Sequence, residues 1–383
     1  MQVSVVASLS EIECEAWDRL AEPTGNPFLR YAFLEGLERF DCLGERWGWL
    51  PRHLVVHEKD ELIGAAPLYL KTNSYGEFVF DWSWADAWER AGGRYYPKLV
   101  SGIPYTPVTG PRLLTAEGTD TAAVRQTLAT SELELARELG VSSLHWLFPT
   151  VEELDSHLVG GELMRRLGTQ FHWYNRGYRD FDDFLDRFTA QKRKKIKRER
   201  KRVAEAGIEL EVLSGQEATN EHWRVFHRFY CTTFERHGGY PTLTEGFFRH
   251  LGETMPDAIL LVLARKGGDY VAGAFNLRGR DALFGRHWGC AEAFHSLHFE
   301  ACYYTGIEYC IREGLARFEP GAQGEHKVSR GFEPVPSWSA HWLADAGFSA
   351  SVRRYVENEE ALMRDYMDEL AGHLPFKQDT AAK

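Results

Sequence analysis

The chain has 383 residues, of which 44% are hydrophobic and 13% aromatic, so intrinsic disorder is excluded and two packed domains are expected. The net charge is −11, yet residues 192–202 alone carry +8 and the remainder −19. No apolar run approaches the ~18 residues that span a bilayer, the first residues do not resemble a signal peptide, and six scattered cysteines favour reduced thiols and a cytoplasmic location.

The first half of the chain mixes helices and strands. Apolar periodicity predicts helices at 11–20, 28–40, 121–139 and about 151–167, and strands at 53–57, 62–70, 76–82, 143–148 and 170–178.

The second half repeats this plan. Its predicted helices cover 182–206, 219–236, 244–254, about 297–313 and about 349–371, and its predicted strands cover 208–213, 259–264, 270–275, 282–289 and 315–318. The helix at 182–206 is expected to be continuous, with an acidic beginning and a basic end that suit the helix dipole.

The two halves correspond in element order and in short strings. LIGAA at 62–66 matches VAGAF at 271–275, and the helix end RELG at 137–140 matches REG at 312–314. A repeat of this length indicates two copies of one domain. We therefore predict domains at 1–180 and 181–348, followed at 349–383 by a helix and a loose tail.

A loop rich in functional side chains follows the predicted strand 315–318. Glycines allow the backbone to approach a ligand closely, and α/β proteins place ligands at the carboxyl ends of strands. Besides Gly321, Gly324 and Gly331, the loop contains Glu319, Gln323, Glu325, His326, Lys327 and Arg330. The alternative interpretation is an ordinary solvated loop.

Long strings of the chain resemble the FemAB-like predicted N-acyltransferases, a family often described by peptidoglycan biosynthesis or recognition. The matching strings are NPFL at 26–29, GWLPRHL at 48–54, APLYLKTNSYGEFVFDW at 66–82, GGRYYPKL at 92–99, TPVTGPRLL at 106–114, LHFEACYYTGIEYCIREGL at 297–315 and EPGAQGEHKVSRGFEP at 319–334. The resemblance implies an α/β fold of tandem GNAT-like domains with mixed central sheets. It also implies an enzyme that transfers an acyl or aminoacyl group to an amine.

The resemblance also suggests roles for particular residues. Transfer to an amine needs a base and stabilisation of an oxyanion, and the candidates for this chemistry are Glu325, His326 and His287. Lys327, Arg330 and Gln323 are candidates for holding phosphate or carboxylate groups of a substrate. In the first half, Asp81, Trp82, Tyr96 and Lys98 are candidates for an acceptor pocket, although an aromatic cluster of this kind is more often core.

Two features of the sequence suggest the identity of the donor: a pyrophosphate loop is missing, and one segment is strongly basic. Acetyl-CoA-dependent GNAT proteins usually carry a Gly-containing pyrophosphate loop after their fourth strand, and Cys290–Leu297 lacks that pattern. This favours the FemABX mode, in which aminoacyl-tRNA is the co-substrate and no other cofactor is needed. The predicted tRNA contacts are Lys192, Arg193, Lys194, Lys195, Lys197, Arg198, Lys201 and Arg202.

Several alternatives stay open on the sequence alone. The donor could be an acyl-CoA or a carrier thioester, and the basic segment could be a solvated helix or a contact for lipid headgroups. A non-catalytic protein that binds RNA or a cell-wall precursor is a different class of function. His295, His298 and Cys302 share one helix face, but packing is expected there and no metal site is predicted.

Overall fold

The computed structural model describes residues 1–158, 161–322 and 324–377. The chain forms two compact units. The first comprises Met1–Gly168 and Pro336–Asp365, and the second comprises Thr169–Val335 and Tyr366–Lys383, of which 378–383 lie outside the described residues.

The first unit contains most of the early strands and helices. Its strands are β1 Gln2–Val6, β2 Trp49–Pro51, β3 His53–Glu58, β4 Glu61–Ala66, β5 Leu68–Lys71, β6 Lys98–Ser101, β7 Leu114–Thr115 and β8 Ser143–Leu147. Its helices are α1 Cys14–Ala21, α2 Tyr31–Arg39, α3 Trp82–Arg90, α4 Thr121–Glu138 and α5 Val151–His157.

The second unit holds the later elements. Its strands β10 Ile208–Leu213, β11 Ile259–Lys266, β12 Asp269–Arg278, β13 Ala282–Cys290 and β14 Arg317–Glu319 are joined by helices α6 Phe181–Asp186, α7 Ala190–Glu205, α8 Asn220–His237, α9 Glu245–Thr254, α10 Leu297–Phe299 and α11 Thr305–Glu313. Strands β9 Met164–Tyr174 and β15 Glu333–Leu343 and helix α12 Ala346–Gly372 each contribute residues to both units.

Sheets in the first unit combine hairpins with one parallel pair. Strands β1, β3, β4 and β7 form an antiparallel sheet. A second sheet contains β5 antiparallel to β6, and β6 runs parallel to β8 with Leu99 opposite Leu144. Helix α4, which connects the two parallel strands through β7, packs on this unit's apolar core through Val124 and Leu128.

The second unit repeats this arrangement. Strands β10, β11, β12 and β13 are successive antiparallel neighbours, and β13 is parallel to β14. The parallel register covers only Ala282–Phe284 against Arg317–Glu319, whereas β13 continues along β12 to Cys290. The two parallel strands therefore diverge beyond Phe284. The chain that follows β14 lies at this divergence, where an added Cβ on Gly285 would be 3.1 Å from Pro320.

The predicted fold class is confirmed: the protein is an α/β protein with tandem GNAT-like halves and mixed central sheets. The predicted domain boundaries stay a prediction. Strands β9 and β15 each contribute residues to both compact units. Among the helices that the structure describes, none is both long enough and apolar enough to cross a bilayer.

Four predicted elements are wrong. The strand predicted at 62–70 is interrupted at Pro67, and its two parts, β4 and β5, belong to different sheets. Residues 76–82 form an irregular segment that enters helix α3, although Phe78, Phe80 and Trp82 alternate as in a strand. The helix predicted at 182–206 is two helices, because the chain leaves helical geometry at Thr189 (φ −58°, ψ 151°) before α7 begins. The helix predicted at 151–167 ends at His157, and β9 already begins at Met164.

Candidate active site

The candidate catalytic loop is a short 3-10 helix, Glu325–Arg330, that follows β14 and is flanked by two glycines with positive φ. Gly324 has φ +118°, and a Cβ there would lie 2.5 Å from the imidazole of His326. Any larger residue at this position would therefore displace that ring. The role of this loop in binding a ligand stays a prediction. At Gly324 the backbone closely approaches the ring of His326.

His326 is held by a tyrosine from the neighbouring helix. Tyr303 Oη is 2.8 Å from His326 Nε2, and the ring of His298 lies 6.3 Å from that of His326, centroid to centroid. Partial burial, with further contributions from Arg330 and Lys327, lowers the pKa of His326 below its ordinary value. The imidazole is thus neutral at pH 7, which is the form that accepts a proton.

Tyr303 is placed by an irregular turn of helix. Glu300–Tyr304 form a π-helical turn between α10 and α11, and such turns are frequent at functional sites. The turn presents two successive tyrosines to the loop, Tyr303 to His326 and Tyr304 to Arg330. Burial raises the pKa of both phenols, so they stay protonated and act only through hydrogen bonds.

Lys327 is buried beside His326. Its side chain is among the buried polar groups at 2% exposure, and Nζ donates to the carbonyl of Gly321 at 2.6 Å. Desolvation lowers the pKa of Lys327 to about 7. A lysine in this state exists as a mixture of ammonium and neutral amine near neutral pH, so it can donate or accept a proton in the site.

Arg330 is engaged within the protein. All three guanidinium nitrogens are used: Nε donates to Tyr304 Oη at 3.1 Å, one terminal nitrogen to the carbonyl of His326 at 2.8 Å, and the other to Glu199 Oε1 at 2.9 Å. The guanidinium carbon also lies 3.4 Å from the centroid of the Phe299 ring, and Arg330 is only 3% exposed. This geometry is that of a residue that holds the loop, and the predicted role in binding a substrate anion stays untested.

The other predicted catalytic residues make different contacts. Glu325 is exposed, as His326 is, and accepts a hydrogen bond from Tyr366 Oη at 2.6 Å, where Tyr366 belongs to the last turns of α12. His287 packs edge to face with Tyr230 and Phe248 and stacks on Phe275, with ring centroids 5.0, 6.0 and 6.4 Å away.

His287 and His326 are on opposite faces of β13. Successive side chains of a strand alternate between its faces, and Trp288, next to His287, packs on His298 at 5.4 Å between ring centroids. Since His298 in turn neighbours His326, His287 faces away from the loop. Burial lowers the pKa of His287 well below its ordinary value. Gln323, which was predicted to bind substrate, lies outside the described residues.

Glu319, which was placed in the predicted ligand loop on the sequence alone, meets a histidine that was not named there. Glu319 closes β14 at 5% exposure, and its Oε2 lies 3.7 Å from His172 Nε2. Burial lowers the pKa of His172, and Glu319 opposes that change. The sequence signal was weak, because His172 lies in an aromatic strand where a histidine is usually a packing residue.

The basic segment forms the outer face of α7. Lys194, Lys195, Lys197, Arg198, Lys201 and Arg202 are exposed, and Lys192 and Arg193 are half-buried. Some of these cations meet nearby acids, as in Lys197 with Asp182 at 2.8 Å. In the described part of the chain, Lys194, Lys195 and Arg198 have no acidic side chain within salt-bridge distance. This face is a concentrated positive surface that a polyanion could neutralise.

In the first unit, the predicted acceptor residues surround a buried lysine. Lys98 Nζ is fully buried and donates to Ser74 Oγ and Glu77 Oε2, both at 2.8 Å, and to Asp81. Burial by itself disfavours both the Lys98 ammonium and the Asp81 carboxylate. The pKa of Lys98 is nevertheless raised, because the carboxylates of Glu77 and Asp81 lie beside it, and the pKa of Asp81 is lowered by Lys98. Burial raises the pKa of Glu77 to about 7.

The structure brings three of these four predicted residues together. Tyr96 Oη lies 2.8 Å from Ser74 Oγ, which joins it to Lys98 and Asp81, whereas Trp82 is 39% exposed. Lys98 and Asp81 hold each other and pin residues 74–81 to β6. Their predicted role toward an acceptor remains a prediction.

No metal site is apparent in residues 1–158, 161–322 and 324–377, where no group of three or more His, Cys, Asp or Glu side chains is arranged to hold an ion. His295 instead contacts Arg202 and Ser296, at 3.2 and 2.6 Å.

Solved structures of similar fold cover nearly the whole chain. The C-terminal domain of a putative lysylphosphatidylglycerol synthetase from Agrobacterium fabrum has a TM-score of 0.55 at 10% identity, over 90% of this chain and 95% of that one. FemX has a TM-score of 0.53 at 12% identity, over 92% of this chain and 100% of that one. A conserved protein of unknown function from Bacteroides thetaiotaomicron has a TM-score of 0.52 at 10% identity, over 89% and 100%.

The amino-acid sequence itself matches a family profile. No curated protein sequence matches the chain significantly. Residues 8–378, however, match the FemAB-like family, whose description is peptidoglycan biosynthesis/recognition. The match extends over both units and both candidate sites, and the fold agrees with that of FemX. This chain therefore belongs to the FemAB-like family and has its acyltransferase fold.

Proposed function

We propose that this protein is an N-acyltransferase that moves an aminoacyl group from aminoacyl-tRNA to an amine. The observation that carries the proposal is the attachment of α7 to the loop that holds His326, through Glu199 on the buried face of the helix and Arg330. The opposite face of the same helix presents the cations. Membership of a family described by peptidoglycan biosynthesis supports transfer chemistry. The similarity to a putative lysylphosphatidylglycerol synthetase supports an aminoacyl group as the cargo.

The reaction requires one bond to form and one to break. The amine nitrogen of the acceptor attacks the carbonyl carbon of the aminoacyl ester, and an amide bond forms as the ester C–O bond breaks. The nitrogen must lose a proton, the carbonyl oxygen carries negative charge in between, and the ribose hydroxyl that leaves must gain a proton. The net reaction needs no oxidant, metal or further co-reactant.

His326 is the proposed base. If its Nε2–H donates to Tyr303 Oη at 2.8 Å, Nδ1 keeps a lone pair that can accept the amine proton. The lowered pKa of His326 keeps this form populated at neutral pH. The same proton can then be returned to the leaving oxygen, because a group of this kind works in both directions.

Lys327 is proposed to supply positive charge. It lies next to His326 in the chain and is buried, so its ammonium would act in a water-poor environment where an oxyanion gains most from a nearby cation. The pKa near 7 also allows Lys327 to share in proton transfer.

The donor is proposed from charge. A tRNA that carries the aminoacyl ester also carries many phosphates, which bind to cationic side chains. The cations of α7 form the most concentrated run of positive charge in the sequence. The acceptor class is an amine on a small molecule or peptide precursor, and a charged-tRNA donor implies a cytoplasmic place of action.

The donor proposal is tested with two matched pairs of substitutions. Lys194→Ala/Arg198→Ala removes two exposed cations spaced four residues apart on α7, and Arg224→Ala/Arg228→Ala removes two with the same spacing on α8. Binding of bulk tRNA is measured against salt concentration for both variants and the wild type. Each lost phosphate contact reduces the slope of log K against log salt by roughly 0.7 to 0.9.

The α7 variant should bind tRNA more weakly and with a reduced salt slope, and the α8 variant should resemble the wild type. Equal behaviour of the two variants would contradict the use of α7. Amide formation from an acyl-CoA that survives ribonuclease and both substitutions would instead identify a thioester donor. Binding of RNA or precursor without any transfer would identify a binding protein.

A further inference from the structure

Helix α7 has two chemically different faces. Its cations point outward, while Ile196, Glu199 and Val203 are buried at a spacing of three and four residues. Glu199 is the single acid of residues 192–202 and is 6% exposed. A carboxylate in such a position needs partners, since an unpaired buried charge is costly.

The partners of Glu199 belong to the candidate active site. One carboxylate oxygen accepts from Arg330 at 2.9 Å, and the other accepts from Tyr304 Oη. Arg330 then donates to the backbone carbonyl of His326 at 2.8 Å. A continuous path of charge-assisted hydrogen bonds thus leads from the inner face of the basic helix to the backbone of His326.

Two further ion pairs of Arg200 fix α7, one to the π-helical turn that carries Tyr303 and one to α11. Arg200 donates to both carboxylate oxygens of Glu308, at 2.6 and 3.1 Å, and to Glu300 at 3.0 Å. Both hydrogen bonds that orient His326, through its carbonyl and through its ring, therefore depend on elements anchored to the helix.

We propose that Glu199 and Arg330 are positioning residues that couple occupancy of the basic face of α7 by a polyanion to the placement of His326 for transfer. The inference rests on the proposed function and adds to it a route by which donor binding organises the catalytic loop. Burial and three engaged nitrogens make Arg330 a rigid connection, so a shift of α7 toward bound phosphates moves the loop with it.

The test compares two identical chemical changes on one helix. Glu199→Gln removes the buried charge, whereas Glu205→Gln removes an exposed charge near the end of the same helix. Histidine labelled with ¹³C reports on the ring of His326, and a His326→Gln sample assigns its signal. Bulk deacylated tRNA and, separately, heparin are titrated into each protein.

The wild type and Glu205→Gln should show a shift of the His326 signal at saturation with either polyanion. In Glu199→Gln that shift should be lost, although the dissociation constant for tRNA stays within about threefold. With charged tRNA, kcat of Glu199→Gln should fall by roughly tenfold to a hundredfold, as expected from misplacement of a catalytic group. KM for charged tRNA should change little.

Arg330→Lys keeps the charge and removes the planar fork, and it should give the same loss of response with native circular dichroism. This variant keeps the test informative if Glu199→Gln does not fold. A His326 signal that moves equally in Glu199→Gln, or that neither polyanion moves in the wild type, would overturn the coupling. Movement with heparin but no binding of tRNA would support the coupling and overturn the tRNA donor.

Discussion

His326 is the side chain on which the proposed chemistry depends. Its ring is held by Tyr303 and its carbonyl by Arg330, and the missing side chain of Gly324 leaves the space that the ring occupies. Sequence reasoning named His326 because histidine commonly acts as a base in acyl transfer. It did not find Tyr303, because aromatics are abundant in this chain and none is distinctive by itself.

His326→Gln should lower kcat/KM for transfer by roughly 10² to 10⁴-fold, the range typical of a lost general base. A base works when it is neutral, and the pKa of His326 lies below its ordinary value. Wild-type activity should therefore fall as the pH is lowered from about 6.5 through the pKa of His326. It should also fall as the pH rises through the pKa of Lys327, about 7, because the ammonium that stabilises the oxyanion loses its proton. The substitution should remove the acid limb. His57→Gln, on β3 of the first unit, serves as the control. An unchanged rate and pH profile in His326→Gln would exclude the proposed role.

The contrast between Arg330 and the residues near it shows the limit of sequence reasoning at this scale. Arg, Lys, Glu and His in a glycine-rich loop look alike as candidates. Only the tertiary structure shows that Arg330 meets Glu199, 131 positions earlier, while Glu325 is exposed. The spacing of Ile196, Glu199 and Val203 did contain a signal, because it places the one acid of the basic segment on the apolar face.

Among the secondary-structure elements, residues 74–81 depart furthest from expectation. Phe78 and Phe80 are 40% and 52% exposed, whereas Glu77 and Asp81 are buried against Lys98. The alternation of aromatics predicted a half-buried strand, but the ion pairs with Lys98 turn the polar residues inward and the aromatics outward. Local periodicity cannot detect a partner on another element.

Replacing Lys98 should destabilise the first unit strongly. Lys98→Met leaves Glu77 and Asp81 buried without their cation. Removing one partner of a buried ion pair lowers the free energy of unfolding by about 3–5 kcal/mol. Denaturant unfolding measures the loss. Lys59→Met removes an exposed lysine from the same unit and should change stability by less than about 0.5 kcal/mol. Equal stability of the two variants would contradict a structural role for the Lys98 cluster.

The break between α6 and α7 also coincides with a contact between distant parts of the chain. The apolar spacing from Phe181 to Val203 is continuous enough to predict one helix, yet the chain turns at Thr189 and α7 begins again. The backbone amide of Thr189 donates to Pro375 at 3.0 Å, a contact far along the chain that no helical pattern reveals.

At the scale of the whole molecule, the order of elements was the most predictable feature. The repeated succession of hairpin, strand, helix and strand indicated two GNAT-like halves, and each compact unit contains a parallel pair of strands, β6 with β8 and β13 with β14. That strands β9 and β15 each contribute residues to both units was not predictable, because periodicity indicates that a strand exists but not which strands it pairs with.

The charge distribution is also a property of the whole chain. Residues 192–202 carry a net charge of +8 within eleven residues, whereas the rest of the chain is acidic. A polyanion is therefore attracted by α7 and repelled by the net charge of the other residues. This separation favours binding of a polyanion to α7 over binding to the rest of the chain.

The most direct measurement is transfer of radiolabelled amino acids from a mixed pool of charged tRNA to a mixed pool of amines. The amines comprise peptide precursors, small metabolites and aminolipids. We expect label in an amide product that resists mild base, dependent on intact tRNA and strongly reduced in His326→Gln. Label transferred from acyl-CoA but never from charged tRNA, or no amide product from either donor, would contradict aminoacyl transfer by this protein.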